Sequence, residues 1–357
     1  MADRTRILLL IPRLQAGGAE QVMTLVARGL SRKKYEVHLC EVTADGQRAS
    51  SLPKWVTAHA LGARRARLSA IPLLRLVWRI RPSVILSGAP EISFVVLLLR
   101  QFFPRGTRVL VRQNGTVSAA LARGSLPRYT RLLYRLLYWR ADRVICQTRA
   151  MAEDLARQIG VPRKKIVVLA NPVDLGGVRA TKTDASEWSG AGPHLLAVGR
   201  LSQEKGFDLL IEALAGVREK FPSADLTIVG AGCEETGLKN LCRNSKLENV
   251  VRFAGRVDQP YSFFEGATLF VLSSRHEGMP NALLEAAAAG LPVVATPASG
   301  GVVDLLRERP GMWTAKEISS RALGEAIVAA LQALKPGERF HFDFFSPLQH
   351  QGPGPAA

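Results

Sequence analysis

Residues 276–297 read HEGMPNALLEAAAAGLPVVATP. The stretch divides into a loop, a short helix and a strand. Pro280 suits an early helical position. The alanines let the helix lie close against a sheet, and Gly290 with Pro292 ends it. PVVAT then supplies an apolar strand. Two acids stand out, Glu277 in the loop and Glu285 about one turn into the helix, where its side chain leans back toward the start. Both carboxylates therefore approach one helix N-terminus, where free N–H groups and the macrodipole attract anions, phosphates above all. Two readings stand side by side. The acids either favour the positive helix end, at ~0.3–1 kcal/mol each, or accept hydrogen bonds from ribose or sugar hydroxyls.

The pattern continues outward on both sides. HLLAVGRL (194–201), DLTIVGAG, ENVVRFAG and ATLFVLSS read as strands, and FDLLIEALAGVREKF as an amphipathic helix. An earlier series does the same: RILLLIP (6–12), YEVHLCEVT, SVILSG, RVLVRQN and RVICQT as strands, LLRLVWRI and MAEDLARQIG as helices. Such alternation predicts parallel sheets with crossover helices. Residues 169–193, rich in Gly, Pro, Ser and Asp, read as a linker. The expected class is α/β, with two doubly wound, Rossmann-like domains facing a cleft. They are expected at 1–175 and 176–334, with an irregular tail at 335–357. In such sheets ligands sit beyond the carboxyl ends of the strands.

Two further stretches carry chemistry. VGRLSQEKGFDLL (198–210) sets Arg200 just after a strand and Lys205 just before a helix. A planar fork and a point charge so placed suit a diphosphate, although a solvated charged loop is the plainer alternative. PRLQAGGAE (12–20) offers Gly17 and Gly18, which let backbone approach a ligand or simply make a turn. VGAG (229–232) is a weak glycine pattern by itself.

Composition is globular: 47% hydrophobic and 22% charged over 357 residues. The four cysteines form no CxxC pair, so neither a zinc site nor a disulfide framework is indicated. ILLLI is too short for a signal-peptide core, and ISFVVLLL (92–99) is too short to span a membrane. Charge is unevenly placed. Residues 1–175 hold 30 Lys and Arg against 10 Asp and Glu, while residues 176–357 hold 18 against 20. A basic excess confined to one half points to an anionic partner.

In this order, GGAE, then GRLSQEKG, then EGMPNALLEAAAAGLPVVAT, the motifs resemble the retaining glycosyltransferases of family 4, which have the two-domain GT-B fold. The resemblance runs from residue 7 to about 333. It implies that Glu285 binds the nucleotide ribose, Glu277 the donor sugar, and Arg200 and Lys205 the diphosphate. Backbone along Gly278, Met279, Pro280, Asn281, Ala282 and Leu283 is implied to contact sugar and phosphate, Gly17 and Gly18 to close over the donor, and Arg256 to meet the base through its backbone. The family needs no metal and no cofactor here, since the nucleotide-sugar is a substrate. Two departures follow. Where many members carry a His after the fourth strand of the first domain, this chain reads VRQNGTVS, with Gln113 and Asn114. Residues 335–357 also lack the family's closing helix.

The expected activity is transfer of a sugar from a nucleotide-diphosphate sugar, taken as a UDP-sugar, to a lipid-linked or polysaccharide acceptor, with retention. The alternatives are a basic membrane- or nucleic-acid-binding protein with a decayed site, or a nucleotide-sugar epimerase. LPRYTRLLYRLLYWRADR (126–143) and RRARLSAIPLLRLVWRIRP (64–82) are basic and apolar. They suggest an anionic membrane surface as partner and a cytoplasmic protein peripheral on the inner face of the cell membrane. In the first, Arg128, Arg131 and Arg135 recur at helical spacing, and Tyr134, Tyr138 and Trp139 are expected at an interface. No nucleic-acid recognition motif is evident, so that partner is not expected.

Overall fold

The computed structural model of the protein describes residues 4–13, 17–42, 52–122, 124, 126–127, 129–180, 188, 192–257 and 260–342. The chain separates into two compact units, Met1–Pro172 and Val173–Ala357.

In the first unit the strands are β1 (Thr5–Ile11), β2 (Tyr35–Glu41), β3 (Val56–Ala60), β4 (Val84–Ser87), β5 (Arg108–Arg112), β6 (Arg143–Cys146) and β7 (Ile166–Val168). Among the described residues they form one parallel sheet in the order β3-β2-β1-β4-β5-β6-β7. Chain order reverses between β1 and β4, which makes that gap the switch point. Its central strands are apolar throughout, Leu8 to Ile11 being buried on both faces, as a sheet covered twice requires. Helix α1 (Gly18–Gly29) packs Met23 and Ala27 on one face. Helices α2 (Ala70–Ile80), α3 (Pro90–Leu99), α4 (Val117–Ala122), α5 (Tyr129–Leu137) and α6 (Arg149–Asp154) follow. A second core gathers side chains of α2, α3, α5 and α6 over β4, β5 and β6. Tyr134 and Tyr138 lie fully inside this core, not at an interface as the sequence suggested; only Trp139 of the three is exposed.

The second unit begins with α7 (Leu175–Ala180), followed by β8 (His194–Val198), α8 (Phe207–Lys220), β9 (Asp225–Val229), α9 (Glu235–Asn244), β10 (Val251–Gly255), β11 (Leu269–Leu272), α10 (Asn281–Ala288), β12 (Val293–Ala295), α11 (Gly300–Leu306), β13 (Met312–Thr314) and α12 (Ser320–Ala333). The sheet is again parallel, in the order β10-β9-β8-β11-β12-β13, with its switch point between β8 and β11. Phe207, Leu210, Ile211, Leu214 and Val217 recur at helical spacing and seat α8 in the core. The stretch read as a plain linker holds α7, whose Val178 is buried against the core that contains Leu283 and Ala286 of α10. Residues 335–342 form neither helix nor strand, yet Phe342 is buried in that core. Phe340 donates its N–H to the Gly290 carbonyl at 2.9 Å. The Arg339 guanidinium reaches the carbonyls of Glu265 and Ala267 at 2.6 and 3.0 Å. Residues 343–357 lie outside the described residues.

Candidate functional site

The two loops at the carboxyl ends of β8 and β11 meet at the second unit's switch point. Lys205 Nζ donates to Glu277 Oε1 at 2.6 Å, and Ser274 Oγ donates to the same oxygen at 2.7 Å. The Glu277 side chain is 9% exposed and that of Lys205 24%. Sequence reasoning gave these two residues separate duties, one for the sugar and one for the diphosphate. The fold brings them into a single charge-assisted pair.

Backbone geometry fixes that approach. Lys205 ends a single 3-10 turn, Gln203–Lys205, and Gly206 follows at φ 62°. A Cβ on Gly206 would fall 2.2 Å from the Ser273 carbonyl oxygen, so only glycine lets the two loops come this close. Ser273 Oγ donates to the Lys205 carbonyl at 2.8 Å. Arg275 adds a clasp that the sequence gave no sign of. Its guanidinium grips both Asp208 oxygens at 2.7 and 2.6 Å, and its backbone N–H donates to the Glu204 carbonyl at 2.8 Å. Burial would raise the Asp208 carboxyl, but the Arg275 hydrogen bonds outweigh it and hold the carboxyl below its usual range.

VGAG gains a role of the same kind. Gly199 donates its N–H to the Val229 carbonyl at 2.9 Å and Leu201 donates to Ala231 at 3.1 Å, so the Arg200 loop lies along the end of β9. A Cβ on Gly230 would meet the Gly199 oxygen at 1.8 Å, and one on Gly232 the Leu201 oxygen at 2.2 Å. Arg200 itself stands out from this seam, its side chain 71% exposed and 2.7 Å from Glu204 Oε1. Burial pushes the Glu204 carboxyl up, yet the hydrogen bond from Arg200 brings it below its usual range.

Helix α10 starts directly beyond Glu277, with Pro280 as its N-cap in an extended conformation. Gly278, Met279 and Pro280 form the approach, and Asn281, Ala282 and Leu283 the first turn. Ser299 donates to the Gly278 carbonyl at 3.5 Å. Glu285 is the fifth helical residue and is 5% exposed, in a run where Leu283, Leu284, Ala286 and Ala287 are buried too. Burying an acid is costly unless it is hydrogen-bonded, which a solvated helix-end acid never needs to be. Arg256 follows β10 on an exposed turn behind Gly255, whose φ is 67°.

The remaining candidates belong to the first unit. Gly17 caps α1 in an extended conformation and Gly18 opens the helix; residues 14–16 before them lie outside the described residues. The Gln113 carboxamide is enclosed: its Nε2 donates to the Gly115 carbonyl at 2.9 Å, and the Tyr138 hydroxyl donates to its Oε1 at 3.2 Å. Burial drives the Tyr134 hydroxyl to about 12 and that of Tyr138 well upward, so the network stays protonated. Arg112, 6% exposed, reaches Asn114 Oδ1 and, at 2.8 Å, Asn171 Oδ1. Asn114 Nδ2 in turn donates to the Gly88 carbonyl at 2.7 Å. Burial lowers the Arg112 guanidinium to about 10, which still leaves it cationic at neutral pH. Among the described residues, no group of three or more His, Cys, Asp and Glu side chains is placed to hold a metal.

Comparison with known proteins bears on both halves. Residues 16–176 match the family described as Glycosyltransferase Family 4, and residues 178–340 that described as Glycosyl transferases group 1. The chain is 26% identical over 313 residues to an N-acetylgalactosamine-N,N'-diacetylbacillosaminyl-diphospho-undecaprenol 4-alpha-N-acetylgalactosaminyltransferase of Campylobacter jejuni, covering 83% of this chain and 82% of that protein. It is 32% identical over 203 residues to a lipopolysaccharide core biosynthesis glycosyltransferase of Rhizobium meliloti, covering 57% of this chain and 56% of that one. An uncharacterized glycosyltransferase of Haemophilus influenzae is 38% identical over 115 residues, 32% of this chain and 33% of that protein. The chain thus spans from a third to little more than half the length of these last two relatives. Among solved structures, HepE of Anabaena in complex with UDP and glucose superposes with a TM-score of 0.76 at 20% identity, covering 92% of this chain and 90% of that one. The likeness establishes the GT-B fold.

Proposed function

The chain belongs to the family-4 glycosyltransferases of group 1, and from that we propose that it transfers a sugar, with retention, from a UDP-sugar to a lipid-linked or polysaccharide acceptor at a membrane surface. The observation that carries the reading is the Lys205–Glu277 pair at the carboxyl ends of β8 and β11, beside the start of α10. A cation and a carboxylate there match the two ends of a nucleotide-sugar's reacting bond. Lys205, with Arg200 five residues earlier on the same loop, takes the diphosphate's charge, while Glu277 accepts a hydrogen bond from the sugar's hydroxyls. Glu285, enclosed one turn further along, is suited to the ribose.

In the transfer, the bond from the anomeric carbon to the diphosphate oxygen breaks and the acceptor oxygen bonds the same face of the sugar. The acceptor's proton must go somewhere. Residues 113–116 of the first unit read QNGT, none of which titrates near neutrality. Gln113 is moreover locked by Tyr138 and Gly115. We take the leaving diphosphate as the proton's receiver, its growing charge held by Lys205, Arg200 and the α10 dipole. The acceptor class rests on the named relatives, which include a transferase acting on a diphospho-undecaprenol substrate and one of lipopolysaccharide core biosynthesis.

The test is a panel of UDP- and GDP-sugars scored by thermal shift, followed by turnover of those that bind. Stabilisation by UDP-sugars with release of UDP in the presence of a polyprenyl-diphosphate-linked sugar supports the reading. Binding without release in any acceptor's presence favours a decayed site.

A further inference from the structure

Large apolar side chains left in water on this protein are concentrated on one layer of the first unit. Helix α2 exposes Ile71 and Trp78, the end of α3 exposes Leu98, and α5 with the turn after it exposes Leu132, Leu136 and Trp139, each between 48% and 64% exposed. These helices adjoin one another, with α3 touching both α2 and α5, and their inward residues share one core over the sheet. The apolar residues are therefore not a hidden seam between helices. Arginines share their faces: Arg75 and Arg79 follow Ile71 at helical spacing, and Arg131 and Arg135 alternate with Leu132 and Leu136. All four are exposed.

Charge along the same stretch is one-sided. Residues 52–141 hold 16 Lys and Arg and a single acid, Glu91. At the end of α2 the layer opens into a groove of about 930 Å³ between Trp78 and Phe102, with Arg81 and Arg105 in its lining. Trp78 Nε1 donates to the Phe102 carbonyl at 2.9 Å and so holds the indole in place.

We infer that the outer face of α2, α3 and α5 is the surface by which this protein docks on a bilayer of anionic phospholipid. Arginines alternating with leucine and isoleucine along a helix suit an interface with anionic headgroups above and acyl chains below. Tryptophan belongs at that same depth. A second copy of the chain would bring one arginine-rich face against another, which repels. A nucleic acid would meet the arginines but leave Ile71, Leu98, Leu132 and Leu136 without a counterpart. The inference rests on the lipid-linked acceptor proposed above, yet it concerns binding alone and is measured without donor or acceptor.

Co-sedimentation of the full chain with vesicles of phosphatidylcholine, with and without phosphatidylglycerol, tests it. Two surface variants accompany the parent: Leu132→Ser with Leu136→Ser, and Arg131→Ser with Arg135→Ser. Their melting temperatures and UDP affinities, taken alongside, should match the parent's. The parent should bind anionic vesicles at least tenfold more tightly than neutral ones, with a blue shift in tryptophan emission that Trp139→Phe reduces. Each variant should lose tenfold or more. Parent-like binding by folded variants, equal binding to neutral vesicles, or preference for a single-stranded oligonucleotide over lipid would overturn the docking face. None of those outcomes touches the donor site, which UDP affinity reports separately.

Discussion

Lys205 Nζ and Glu277 Oε1, 72 residues apart in the chain, stand 2.6 Å apart with the carboxylate nearly enclosed. The pair is an ion pair in its own right before any ligand arrives. On the proposed reading, a diphosphate that takes Lys205's charge competes with Glu277 and frees that carboxylate for the sugar.

Lys205→Ala should expose that dependence. It leaves the Glu277 carboxylate with Ser274 as its remaining donor in this pair's contacts. Because Lys205 keeps a quarter of its side chain in water, the loss of stability should be about 2 kcal/mol, below the range for fully enclosed pairs. Adding Glu277→Ala should return most of that stability without returning diphosphate binding. Arg200→Ala removes an exposed pair instead, so it should weaken diphosphate binding while leaving the melting temperature near the parent's. Chemical denaturation beside calorimetric titration separates the two effects.

Gly206→Ala should be among the most damaging single-methyl additions in the chain. Its φ of 62° disfavours a side chain, and the new Cβ would meet the Ser273 carbonyl oxygen at 2.2 Å. Loops bearing Lys205 and Glu277 would have to part, at a cost of about 2–4 kcal/mol. Gly216→Ala, on an exposed helical position with nothing within 4 Å, is the control and should be neutral or slightly stabilising. Equal melting temperatures for the two variants would contradict the close approach.

Arg275→Ala should act on the site from outside it. The clasp to Asp208 and the carbonyl of Gln203 holds the two loops together. Losing it should raise KM for the donor and lower kcat, since both Lys205 and Glu277 lose their setting. Arg275→Lys keeps the charge but not the bidentate grip, so it should recover only part of the activity. Full recovery by lysine would reduce the clasp to a point charge.

A pH effect is expected within the first unit. His38 Nδ1 and His59 Nε2 lie 3.0 Å apart across β2 and β3. Burial lowers both imidazoles from 6.5; Arg6 adds to this at His38 against Glu36, and His38 and Arg79 add to it at His59. A depressed folded pKa means the unfolded chain takes up protons first. Stability should thus be full above about pH 6.5 and fall as pH drops through the lowered folded values. His59→Gln should flatten the loss between about pH 7 and pH 5 in thermal melts. An unchanged slope would remove the histidine pair from the account.

Much of the fold is legible in the sequence because it is carried by local pattern. The apolar runs at 7–11 and 195–197 are buried on both faces, and the α8 stripe has the spacing of a seated helix. β3 and β7 escape such reading because each lies at an edge of the sheet and much of each is exposed, which erases alternation. Helix α7 hides in a stretch whose glycines and aspartate read as linker, although Asp174 Oδ1 caps it through the Gly177 N–H at 2.9 Å. In the site, Glu277, Glu285, Arg200 and Lys205 are visible as motif residues. Arg275 is not, since its partner Asp208 lies 67 residues away and no local spacing links them. Gln113 looks like a substitute for a loop histidine in sequence, while its carboxamide in fact completes a tyrosine network.

The most direct measurement is calorimetric titration of UDP, set beside turnover of the full UDP-sugar, for Glu285→Gln and Glu277→Gln. Glu285 is 5% exposed one turn inside α10, and Glu277 lies in the loop against Lys205. If Glu285 holds the ribose, its glutamine variant should bind UDP more weakly by ~1.5–3 kcal/mol, the scale of a hydrogen bond to a charged group. If Glu277 holds the sugar, its variant should bind UDP nearly as the parent does and lose turnover. Parent-like UDP binding and turnover in both variants would contradict the account, leaving the two carboxylates as features of a helix start and the donor site without its central pair.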